Sequence, residues 1–193
     1  MKAAARESAG VSALKKFYWT TEHLVLVGIF SALIRLSSLA IGLVGGGPNP
    51  VSLFVRNGLT TALLIVLVCR VRKFGVLCLY CFVNIVISFF MSGSVLIFLA
   101  PANIIAALAS DLVIAAAGGY KNTLSVLAGV ALYDLLSRGI ALGFSFLVMR
   151  ENLQLVAAGA MMIVLGYLGS LVGLPAGYKF VKELRHAGLI REQ

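Results

Sequence analysis

Six apolar runs separated by short polar breaks make up most of this chain. The first spans roughly 23–44 and stops at Gly45-Gly46-Gly47-Pro48-Asn49-Pro50, a cluster of turn-forming residues. The second, roughly 51–69, is stopped by Arg70-Val71-Arg72-Lys73, and the third, roughly 75–90, by Ser92-Gly93-Ser94. The fourth, roughly 95–117, holds Pro101 and ends at Gly118-Gly119-Tyr120-Lys121-Asn122. The fifth, roughly 123–148, is closed by Arg150-Glu151-Asn152, and the sixth, roughly 153–177, runs into Tyr178-Lys179 and a basic tail. A bilayer core takes about 20 apolar residues per helix. The pattern therefore predicts an all-α membrane protein, a bundle of about six transmembrane helices. The expected organisation is a cytoplasmic segment 1–22, a membrane domain 23–180 and a cytoplasmic basic tail 181–193. The third and fourth spans are the least regular, and a re-entrant segment near 91–101 fits the pattern as well.

Composition supports the bilayer over a water-soluble fold. Hydrophobic residues make up 61% of the chain and charged ones only 12%, where a soluble domain carries about a quarter charged. A net charge of +9 would suggest nucleic acid in a soluble protein. Here the basic residues sit in clusters between apolar runs and do not alternate with aromatics, so no nucleic-acid partner is expected. Residues 1–22 are polar and mixed, without a signal-peptide pattern, so the first helix should be retained. Cys69, Cys78 and Cys81 lie in or beside apolar runs. The C-x-x-C at Cys78 and Cys81 has neither a second C-x-x-C nor a nearby histidine, and reads as small apolar side chains rather than a metal or redox site.

Charge placement predicts orientation. With the N-terminus inside, twelve of the sixteen Lys and Arg residues fall on cytoplasmic segments, and only Arg150 on an outer loop. The remaining three, Arg35, Arg56 and Arg138, lie within spans. This bias favours N-in and C-in, with an even number of helices.

Ionisable residues inside a span are costly unless paired, so each is a site hypothesis. Five are present: Arg35, Arg56, Asp111, Asp134 and Arg138. Helix rise puts Arg56 about 9 Å from the outer end of its span, Arg35 about 18 Å from the inner end of its own, and Asp111 about 10 Å from the cytoplasmic face. Asp134 and Arg138 are four apart and can pair. Arg35 and Arg56 lack a carboxylate at their depth and need backbone carbonyls, water or an anionic ligand. Asn84, Ser88 and Ser92 recur every four residues along the third span, and Asn103 follows Pro101. The expected site is thus an outward-facing, positively biased pocket of Arg35, Arg56, Asn84, Ser88, Ser92, Asn103, Asp134 and Arg138. Each polar residue alone reads more readily as a helix-packing hydrogen bond than as a ligand contact, and their convergence on one depth adds to the pocket reading. Small residues mark close helix contacts in lipid. Gly169, Gly173 and Gly177 line one face of the sixth span, which suits internal packing, whereas Gly28 and Ala32 on the first span suit either packing or docking of another membrane protein.

Four segments carry a family resemblance: Val27-Gly28-Ile29-Phe30-Ser31-Ala32-Leu33, the turn Val71-Arg72-Lys73-Phe74-Gly75, the run Ile104-Ile105-Ala106-Ala107-Leu108-Ala109-Ser110-Asp111, and the end from Gly173-Leu174-Pro175-Ala176-Gly177 to Leu189. Over about residues 20–190 the chain resembles the substrate-binding S component of an energy-coupling factor (ECF) transporter, nearest the hydroxymethylpyrimidine/thiamine-type and MptD-like members. The resemblance implies a multi-pass protein of a prokaryotic plasma membrane, the capture subunit of an ABC-type importer for a vitamin or related micronutrient. It implies partners, too: a membrane scaffold and two ATPases, which use ATP while this chain holds no cofactor of its own. Gly28 and Ala32 fall where family members place alanines against the scaffold. The substrate would sit between the outer halves of the helices, beneath the loop Gly45–Pro50, and an acidic residue where Asp111 stands would be structural.

Other functions find less support. The two histidines, His23 and His186, flank the spans, and no H-E-x-x-H, G-x-S-x-G or acidic cluster is present, so no enzyme is expected. A stand-alone secondary transporter or channel is the alternative, although the unequal spans show no clear inverted repeat.

Overall fold

The computed structural model describes residues 19–46, 49–92, 100–148 and 153–187. These fold into six α-helices and no strand. They are α1 (Thr21–Val44), α2 (Pro50–Val71), α3 (Val76–Ser92), α4 (Ala100–Ala116), α5 (Thr123–Val148) and α6 (Leu153–His186). Among the described residues, α1, α2, α5 and α6 contain stretches long and apolar enough to cross a membrane. Helices α3 and α4 have 17 residues each, about 25 Å of helix against a hydrocarbon core of about 30 Å.

Local chemistry sets the boundaries. The Asn49 amide N–H donates to Ser52 Oγ at 3.1 Å, and Asn49 Nδ2 donates back to the Gly45 carbonyl at 2.6 Å, so one residue ties the end of α1 to the start of α2. Pro50 opens α2, where a missing N–H does no harm. Helix α4 is described from Ala100, with Pro101 the second of its described residues. Residues 93–99, where a re-entrant segment was conceivable, lie outside the described residues. At the other end, α6 runs past Gly177 and through Pro175 to His186, so the start of the basic tail is helical.

Helix α2 is central, packing against α1, α3, α5 and α6, and its contact with α6 is the most extensive in the bundle. The reason is a backbone-to-backbone seam. A Cβ built on Gly169 would fall 2.9 Å from the Phe54 Cα, one on Gly173 2.9 Å from the Gly58 Cα, and one on Gly177 3.1 Å from the Ala62 Cα. The two helices therefore run parallel in constant register, with glycine permitting the approach at each level. The sixth-span glycine stripe is internal packing, as its spacing suggested.

The bundle is solid at one end and hollow at the other. Leu64–Cys69, Val71, Val76, Leu77, Ile114, Val126, Val130 and Val181 form a dry core, level with the start of α1 and the end of α6. This end also carries Arg70, Arg72, Lys73, Lys121, Lys179, Lys182 and Arg185. Around the bundle, large apolar side chains such as Leu24, Ile29, Leu36, Ile105, Leu112, Met161 and Val172 are exposed, a surface that only lipid or another apolar body would cover.

Candidate functional site

A cavity of about 800 Å³ occupies the half of the bundle away from the basic end. It is bounded by the C-terminal half of α1, the N-terminal half of α2, α3, the start of α4 and the middle of α5. Of the residues expected there, Arg35, Arg56, Asn84, Ser88, Asn103 and Arg138 line it. Asp134 does not; its carboxylate turns to Arg138. The Ser92 side chain lies outside the described residues.

The three arginines are held differently. Arg35 reaches from α1 to α3, where its Nε donates to Asn84 Oδ1 at 2.9 Å and an Nη group donates to Ser88 Oγ and, at 3.4 Å, to the Asn84 carbonyl. Asn84 Nδ2 is in turn fixed on the Tyr80 carbonyl at 3.1 Å. Neutral acceptors thus satisfy the Arg35 guanidinium without cancelling its charge. Its side chain faces the cavity, although it shares a helix stripe with Gly28. Arg138 Nε donates to Asp134 Oδ2 at 2.8 Å, the i,i+4 ion pair that the spacing allowed. The tip of Arg138 rests against α6 at Gly166, where a Cβ would also meet Asn57 Nδ2 at 2.7 Å. Gly166 is therefore the hollow into which Arg138 and Asn57 fit. Arg56 has no hydrogen bond or ion pair among the described residues and stands exposed on the cavity wall. It feels the positive charge of both Arg35 and Arg138.

Several lining residues were not expected from the sequence. Tyr80 and Tyr133 add aromatic area, Asn57, Thr60 and Ser137 add polar groups, and Ser137 Oγ donates to Asn103 Oδ1 at 2.7 Å, joining α5 to α4. Asn57 Nδ2 is buried without an acceptor among the described residues. Isolated tyrosines and an asparagine inside apolar runs gave no periodic signal, and only the neighbouring helices decide which way they face.

Asp111 lies outside the cavity, at the basic end. It is fully buried and accepts the Cys78 backbone N–H at 3.1 Å and the Tyr120 hydroxyl at 2.6 Å. Cys78 is in the first turn of α3, so the carboxylate caps that helix where its free N–H groups and positive dipole end favour an anion. Gly28 and Ala32 lie on the outer face of α1: a Cβ on Gly28 would meet nothing within 4 Å, and Ala32 is exposed.

Residues 21–161 match the family described as hypothetical bacterial integral membrane proteins, Trep_Strep. The chain belongs to this family. The Trep_Strep match covers five helices and the start of the sixth, and with it every residue of the cavity wall. The long apolar helices of this chain are thus those of a bacterial integral membrane protein embedded in a lipid bilayer. No curated protein and no solved structure matches the chain.

Proposed function

We propose that this Trep_Strep protein is a membrane-embedded substrate-capture subunit, the S component of an ECF-type importer for a vitamin or related micronutrient. One observation carries the reading: a cavity of about 800 Å³ closed beneath by the dry core, bounded by five helices and lined by three arginines. Its volume falls in the range of small-molecule sites, about 300–1,000 Å³. A channel needs a continuous path, and the core below the cavity is packed. The basic end fits the cytoplasmic side, which would turn the cavity mouth outward, with both termini inside a prokaryotic plasma membrane. The Gly28–Ala32 stripe of α1, with open space over Gly28 and Ala32 exposed, supports docking of a scaffold subunit, because small side chains let helices approach closely. Energy would come from partner ATPases, and the chain would act by binding rather than as an enzyme.

The test has two parts. Affinity-tagged protein expressed in its own host should carry a membrane scaffold and ATPases through purification. Arg35→Ala and Arg56→Ala should each weaken binding of the substrate found by a thermal-shift screen of vitamins. Unchanged affinity in both variants would remove the cavity from the reading. Uptake by the chain alone in liposomes would instead favour a secondary transporter.

A further inference from the structure

The charge inventory of the cavity narrows the substrate class, and this step rests on the capture reading above. Among the described residues, three guanidiniums line the wall, and the carboxylate that meets one of them is Asp134, bonded to Arg138. Counted over the described residues, the site therefore holds three positive charges against one negative, a surplus of two. A membrane interior tolerates such a surplus only when something compensates it. Arg35 is anchored by neutral oxygens and Arg138 by its aspartate, whereas Arg56 has no acceptor among the described residues. The Asn57 amide beside it likewise lacks an acceptor. Two donors thus stand side by side on the α2 wall with nothing among the described residues to receive them. Ile34, Leu53, Tyr80, Ile85, Phe89 and Tyr133 give the wall its apolar and aromatic area, beside neutral polar groups such as Ser38, Thr60 and Ser137.

We infer that the cavity takes a small molecule with a flat apolar body and a dianionic group, a phosphate monoester or a pair of carboxylates, and that Arg56 is the anchor for that group. Arg35 and Arg138 are positioning charges, each pre-set by its own partners. A guanidinium suits this task because its planar fork matches carboxylate and phosphate oxygens two at a time. Two negative charges cancel the surplus; a neutral or cationic molecule would leave it standing.

The experiment measures binding to the purified full chain in nanodiscs. The probes are the water-soluble vitamins, each beside its phosphate ester where one exists, with phenyl phosphate and phthalate as minimal aromatic dianions. The tightest binder should be a dianion. R56Q should weaken it by roughly 30-fold or more, the usual effect of removing one partner of a desolvated charge pair, and R56K should recover much of the loss. Without ligand, R56Q should melt at or above the wild-type temperature, because an uncompensated charge has gone. A neutral or cationic vitamin that binds tightly and equally to R56Q would leave the capture reading intact and overturn this inference. Dianion binding unaffected by R56Q, or an R56Q protein that fails to fold, would overturn Arg56 as anchor. No binding by any probe would remove the capture reading, and this inference with it.

Discussion

Replacing Gly173 with alanine is a demanding test of how the cavity is built. The new Cβ would fall 2.9 Å from the Gly58 Cα and 3.0 Å from the Gly58 carbonyl carbon. Carbon atoms pack best at about 3.5–4.0 Å, so α2 and α6 must separate by up to about 1 Å. Backbone atoms cannot swing aside as a side-chain end can. Because the helices run parallel in register, the separation is shared by the Phe54–Gly169 and Ala62–Gly177 levels. A gap of about 0.5–1 Å forfeits a quarter to a half of each affected dispersion contact, and lipid supplies no hydrophobic drive to offset the loss. Overpacking of this kind costs about 1–3 kcal/mol. With three levels affected the upper figure applies, and helix propensity returns at most about 1 kcal/mol for glycine to alanine. The expected net loss is about 2 kcal/mol. It should appear in reversible unfolding of the purified protein in mixed micelles, with Gly28→Ala, which meets nothing within 4 Å, unchanged or slightly more stable. Substrate affinity should fall too, since α2 carries Arg56, Asn57 and Thr60 to the cavity. A Gly173→Ala protein as stable as Gly28→Ala would refute the seam.

Gly166→Ala should behave differently, because its Cβ would meet the ends of the Arg138 and Asn57 side chains rather than backbone. It should lower substrate affinity while costing less stability than Gly173→Ala, as ligand titration and unfolding on the same samples will show. Asp111→Ala removes the buried acceptor for the Cys78 N–H and the Tyr120 hydroxyl, and should cost about 1–3 kcal/mol in the same unfolding assay; Tyr120→Phe, which leaves the carboxylate on the helix end, should cost less. Orientation can be read with a membrane-impermeant thiol reagent after replacing Cys69, Cys78 and Cys81. Asn49→Cys should react in intact cells and Lys121→Cys only after permeabilisation, and the reverse result would place the cavity mouth in the cytoplasm.

The helices, and the pairings contained within one helix, are legible in the order of residues along the chain. Apolar runs and their breaks set six elements because a bilayer demands a minimum length of uninterrupted apolar helix. The Asp134–Arg138 pair and the Gly169–Gly173–Gly177 stripe follow from helix periodicity alone. What one chain segment cannot encode is which face looks inward, since lipid and protein core are equally apolar. Only in the closed bundle do Gly58 and Ala62 oppose the α6 glycines, does Arg35 reach Asn84 and Ser88 some fifty residues away, and does Asp111 cap α3. Closure also turns Tyr80, Tyr133 and Asn57 into the cavity and leaves Arg56 without an acceptor among the described residues. Those outcomes depend on close contacts between helices distant in sequence, and such contacts exist only once the bundle has closed.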